Sequence, residues 1–129
     1  MANIAIVNSR ITTLGTNQAL TLTAADETTD ATAQKFVYTP TGKHNKCLFI
    51  VYQSSGSYTI GFTITAGAGV FGAVAKTGTI AAVAGNKLIQ IETGKYMLAN
   101  GTIEISFLPT TGRDLVNDHA LTVGVIELQ

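Results

Sequence analysis

Charge is scarce in this chain. Asp, Glu, Lys and Arg make up 12% of the 129 residues, about half the usual share, and eight bases balance eight acids. A balance of this kind gives no long-range field to draw in DNA, RNA or an anionic membrane, and it leaves little repulsion between copies. With 46% hydrophobic residues, part of the surface is expected to be covered by other copies or by a partner. Cysteine is nearly missing as well. Cys47 stands alone, which excludes an intrachain disulfide, and inside "KCLFIVY" it reads as a small buried hydrophobe.

Tryptophan is absent, and of the four tyrosines Tyr96 alone falls outside a strand pattern. The aromatic platforms that stack on sugar rings are therefore sparse. Long apolar runs are lacking too. The longest uncharged stretch, 47–75, is interrupted by "QSSGSYT", which excludes a membrane span. "MANIAIVNSR" has no basic n-region and a short apolar run, so it does not read as a signal peptide, and synthesis in a cytoplasm is expected. No i, i+3, i+4, i+7 apolar pattern persists over three turns, which excludes a helical architecture.

What the chain has is threonine, twenty residues of it, and thirteen glycines. Threonine is stiff at χ1 and fits strands, while glycine marks turns. Segments 19–24, 34–39, 58–65, 87–92, 102–108 and 120–128 read as strands, most of them alternating apolar and polar residues. "KCLFIVYQ" (46–53) is a uniform apolar run that suits a central strand, and 78–84 is a further strand. About eight strands separated by turn signals predict an all-β, single-domain antiparallel β-sandwich, jelly-roll-like or Ig-like. The expected sandwich domain is 19–129, preceded by an N-terminal arm, 1–18, with room for one short strand. Its expected core is Leu48, Ile50, Phe62, Ile64, Ile89, Ile91, Ile103, Ile105, Phe107, Val123 and Val125.

One motif invites an enzymatic reading. Gly67, Gly69 and Gly72 match G-x-G-x-x-G after an apparent strand, with Glu92 twenty residues on. That fingerprint binds a dinucleotide only where the third glycine opens a helix. Here Thr77, Gly78 and Thr79 make a poor helix interior, so a loop between strands is the better reading, and nucleotide binding stands as a remote alternative. His44 and Cys47 have a plausible ligand spacing, but zinc needs three or four ligands, so no metal is expected. Asp114, Asp118 and His119 share one loop, yet no G-x-S-x-G elbow accompanies them. No catalytic residue and no cofactor are expected. Basic residues are scattered without interleaved aromatics, which argues against nucleic acid.

The informative residues are apolar ones outside strands. Ile4, Ile6 and Val7 lie in the arm beside Arg10, and Val70 and Phe71 lie in the glycine-rich loop. Phe71 either plugs its own core or projects as an anchor for a neighbouring subunit.

A short, cysteine-poor, Thr/Gly/Ala-rich, nearly neutral β domain with an N-terminal arm and segments such as "NGTIEISFLPTTG" and "TGKYMLANG" resembles the capsid decoration (cement) proteins of tailed bacteriophages. That resemblance implies a non-enzymatic virion structural protein on the capsid surface, bound to the major capsid protein and to copies of itself as a trimer. A carbohydrate-binding module of a tail or fibre, using Tyr96, is the second expectation. Three buried aliphatic side chains in the arm could supply several kcal/mol at roughly 1.5–3 kcal/mol each before ordering costs.

Overall fold

The computed structural model describes residues 3–9, 19–42, 44–54 and 57–128. Among them the chain forms β1 (Ile4–Ile6), β2 (Thr23–Ala24), β3 (Gln34–Tyr38), β4 (Lys46–Gln53), β5 (Ile60–Ile64), β6 (Lys76–Ile80), β7 (Gly85–Glu92), the short helix α1 (Thr93–Tyr96), β8 (Ile103–Pro109) and β9 (Thr122–Leu128). One sheet has the order β1-β3-β8-β5-β6 and the other β2-β9-β4-β7.

The pairing is nested. β5 pairs with β6, β4 with β7, β3 with β8 and β2 with β9, all antiparallel. The second half of the chain therefore runs back along the first as one long hairpin, whose tip is the 65–75 connection. Rolling that hairpin adds β4·β9 and β5·β8 and leaves two facing sheets. This is the jelly-roll form of the antiparallel β-sandwich. An Ig-like sandwich builds its sheets from several sequence-adjacent pairs, whereas β5·β6 is the one such pair among the described strands.

Rolling also sorts the connections. One end gathers 39–42, 44–45, 65–75 and 93–102, joined by Thr93 N–H to the Asn45 carbonyl at 3.0 Å and Ala68 N–H to the Met97 carbonyl at 3.1 Å. The other end gathers 25–33, 54, 57–59, 81–84 and 110–121, joined by Ala31 N–H to the Arg113 carbonyl at 2.8 Å and Ser54 N–H to the His119 carbonyl at 2.9 Å.

Phe36, Phe49, Ile60, Ile64, Ile103, Ile105, Phe107, Val123 and Val125 are wholly buried between the sheets. Phe36 and Phe107 meet edge to face with centroids 5.7 Å apart, a favoured aromatic geometry. Each such side chain contributes roughly 1.5–3 kcal/mol by leaving water. The expected core members Ile89 and Ile91 are also inside, and Phe62 packs against the core half-buried.

β4 departs from expectation. Cys47, Phe49 and Val51 face the core, while Leu48 and Ile50 take the outer face. A uniform apolar run carries no alternation, and a shift of one residue exchanges its faces. Ile50 is nonetheless buried, because residues 20–22 pass over its register partner Gly124. A Cβ at Gly124 would stand 2.8 Å from Leu22 Cδ2 and from the Thr21 carbonyl oxygen. The alternating segment 19–24 thus yields a two-residue strand, and Leu20 and Leu22 lie on an outer face rather than in the core.

The expected arm contains one short strand. Ile4–Ile6 pairs in parallel with β3, and Ile6 joins the core with Ile4 packed against it. The chain then crosses to the other sheet. Asn8 bridges Val125, Ser9 N–H donates to the Val125 carbonyl at 2.9 Å, and the Asn8 side-chain oxygen accepts from Glu127 N–H at 3.0 Å. Residues 4–9 therefore close the seam between β3 and β9 instead of standing apart from the sandwich. The physical reason is alternation: Ile4 and Ile6 share one face of a strand. The remainder of the expected arm, Arg10 to residue 18, lies outside the described residues.

Candidate functional site

The hairpin tip is built on close backbone contact. Gly67 N–H donates to the Ala73 carbonyl at 3.0 Å and Ala73 N–H to the Lys95 carbonyl at 2.8 Å, which fastens the loop across α1. Any Cβ at Gly67 would run into the Lys95 carbonyl, and one at Gly72 into the Gly67 carbonyl. Gly69 turns the chain at φ +84°, a region that favours glycine. These glycines allow a loop to fold onto a helical turn. The helix that a dinucleotide fingerprint requires after its third glycine is not there, since Gly72 leads through 73–75 into β6. Glu92 ion-pairs with Lys95 at 3.1 Å.

From this fastened base Val70, Phe71 and Val74 project at 94%, 87% and 84% exposure. Phe71 thus projects and does not plug its own core. Beside the tip lies a cavity of about 810 Å³, lined by His44, Val70, Phe71, Met97 and Leu98 among others. Val70, Phe71 and Val74 are thus apolar side chains held out to solvent on a hydrogen-bonded loop. Val74, Met97 and Leu98 were not singled out by the sequence. The spacing of Val70, Phe71 and Val74 among alanines and glycines was the available signal.

The other expected contact residues are dispersed. Ile6 is in the core, Ile4 is half-buried against it, and Val7 is 57% exposed on the seam side. Arg10 lies outside the described residues. Tyr96 packs against the core from α1 and does not line the cavity. His44 is exposed while Cys47 faces inward, its sulfur 3.1 Å from Thr93 Oγ1, so the two do not converge. Burial raises the Cys47 thiol to about 11, against a partial lowering by the Thr93 hydroxyl.

The opposite end is polar. Asp30, Asp114 and Asp118 bring carboxylate oxygens within 4.8 Å of one another. The oxygens of Asp114 and Asp118 already have partners. Asp114 accepts from Val116 N–H and Asn117 N–H at 2.9 and 2.6 Å, and Asp118 accepts from Asp114 N–H at 2.9 Å while pairing with Arg113 at 3.4 Å. The Asn117 N–H in particular lowers the Asp114 pKa. His119 turns away from this cluster, its Nδ1 2.8 Å from Gln53 Oε1. Gln53 Nε2 donates to the Ala81 carbonyl at 2.7 Å, so Oε1 must accept, and Nδ1 of His119 carries the proton. No base–nucleophile pair is assembled from Asp114, Asp118 and His119.

Comparison with protein-family models, curated proteins and solved structures finds no match for this chain.

Proposed function

We propose that this protein is a non-enzymatic virion structural component that docks on a phage capsid shell through the apolar hairpin tip. The observation that carries the reading is the exposure of Val70, Phe71 and Val74 on a loop whose backbone is fastened to α1. A fastened loop costs little ordering entropy on docking, which is what an anchor needs. Near-zero net charge supports dense packing of copies on a lattice, and repetition over a symmetric shell turns modest single contacts into tight retention. A jelly roll is compatible with viral shell proteins and with lectins alike. The carbohydrate-binding alternative is less favoured, because Tyr96 is packed against the core and no tryptophan offers a platform.

The test is co-sedimentation with purified phage capsid shells. Wild-type protein should pellet with shells at low and moderate salt. Phe71→Asp should stay in the supernatant while its circular dichroism and melting temperature are unchanged. Undiminished binding of Phe71→Asp would overturn the role given to the tip. Failure of the wild type to bind shells at all would overturn the capsid reading.

A further inference from the structure

The two long seams of the sandwich differ. Residues 4–9 close the seam between β3 and β9. The opposite seam, between the sheet edges β6 and β7, has no strand of the described chain laid along it. A groove of about 420 Å³ runs there, lined by Phe62, Ile80, Leu88 and Ile89 with Lys76 and Lys87.

The two lysines point into this groove. Lys76 stands opposite Ile64 in the β5·β6 register and Lys87 opposite Val51 in β4·β7, and both partners face the core. Directly opposed residues share a face. Among the described residues the ion pairs are Lys35–Glu104, Lys95–Glu92 and Arg113–Asp118, which leaves Lys76 and Lys87 without an acid. No carboxylate lines the groove. Inward charges on edge strands deter indiscriminate pairing. Two charges of one sign go further: they repel a second copy of either edge and favour a strand that brings acids.

We propose that the β6/β7 seam receives an extended acidic strand from a different protein, held by strand addition and by charge complementarity to Lys76 and Lys87. The lysines set the chemistry of the occupant. Lys76 opens β6, and Lys87 lies near the start of β7, across the short 81–84 connection from the other end of β6. The occupant therefore carries carboxylates on the face it turns to the groove, with an apolar residue between them to cover Phe62 and Ile80. Main-chain bonds give the affinity and the alternate side chains the selectivity.

The experiment uses a fluorescein-labelled peptide, Thr-Glu-Thr-Val-Thr-Glu-Thr, and its counterpart with both Glu replaced by Lys. Fluorescence anisotropy should show saturable binding of the acidic peptide and binding at least about ten-fold weaker for the basic one. The double variant Lys76→Glu/Lys87→Glu should reverse that preference, and Lys76→Gln/Lys87→Gln should abolish it if the double reversal does not fold. Amide NMR shifts on titration should concentrate on β6 and β7. Equal binding of the two peptides, shifts located elsewhere, or no saturation by about 1 mM would each overturn the proposal. So would sedimentation showing that the wild type self-associates through this seam, with the association abolished by Lys87→Glu, since the occupant would then be a second copy.

Discussion

Tyr38 and Glu127 are 89 residues apart in the chain, yet the phenol donates to the carboxylate at 2.5 Å and ties β3 of one sheet to β9 of the other. The same carboxylate accepts from Thr41 N–H at 2.9 Å, Thr41 Oγ1 at 2.7 Å, Gly42 N–H at 3.0 Å and the Asn45 side-chain amide. One anion thus gathers Thr41, Gly42 and Asn45 at the apolar end.

That arrangement predicts acid sensitivity. Partial burial alone would raise the Glu127 pKa, but the hydrogen bonds from Tyr38, Thr41 and Asn45 outweigh it and bring it from 4.5 down to about 2. The unfolded chain binds the proton more readily, so the stabilisation is complete above about pH 4.5 and is lost as pH falls towards 2. After allowance for solvent screening this amounts to about 2–3 kcal/mol. Glu127→Gln should lower stability at pH 7 and flatten the stability profile between pH 4.5 and 2, read by urea denaturation at each pH.

His119 predicts a second, separate step. Burial lowers its pKa below 6.5, against partial raising by Asp118 and Asp114. The Tyr58 ring stands nearly perpendicular to the imidazole with centroids 6.4 Å apart, and Arg113 lies over that ring. Nε2 is buried and has no partner among the described residues, so protonation there would bury an uncompensated donor. Stability is complete above about pH 6.5 and falls as the pH drops below it, because the unfolded chain takes up the proton first. Thermal melts from about pH 7.5 to 5.5 should show this decline in the wild type, and His119→Gln should remove it.

The glycines of the hairpin tip separate two kinds of constraint. Gly67→Ala collides with the Lys95 carbonyl and should cost about 1–3 kcal/mol, because backbone must move. Gly69 has open space but a positive φ, so Gly69→Asn, which tolerates that conformation, should cost well under about 1 kcal/mol. Chemical denaturation of the two variants checks the order. A larger loss for Gly69→Asn would mean that the loop is not held on α1 as described.

Cys47 gives a probe of opening. Its side chain is fully buried and its thiol is raised to about 11. The thiolate is the reactive form, so an aromatic disulfide reagent at about pH 8 should leave the native protein unlabelled and label it fully in strong denaturant. Rapid labelling of the native protein would place Cys47 outside the core.

The alternation of Ile60 and Ile64, of Ile103, Ile105 and Phe107, and of Val123 and Val125 made most of the sandwich legible, since a period of two states which side is buried. Where alternation fails, so did the reading. "KCLFIVYQ" is apolar on both faces, so it does not state which face meets the other sheet, and Ile50 on the outer face is covered by residues 20–22 lying over a glycine 74 positions further along. No local pattern carries such a contact. The tip was half legible. Val70 and Phe71 stood out as apolar residues in a loop, but their projection depends on Gly67 meeting Lys95, a long-range contact. Lys76 and Lys87 looked like ordinary surface charges until the registers with Ile64 and Val51 turned them inward.

Nested pairing has a kinetic side. Among the described residues β9 is the last strand in chain order, yet it lies between β2 and β4 in its sheet. Strands β2 and β4 cannot be joined until β9 has emerged from the ribosome, so their apolar edges wait through most of synthesis, when pairing with the wrong partner is easiest. The inward lysines on β6 and β7, and the polar threonines along the strands, then act on the nascent chain as much as on the finished molecule. A chain cut short before Thr122 would lack the strand that completes the four-stranded sheet, and quality control would meet it as an exposed half-sandwich.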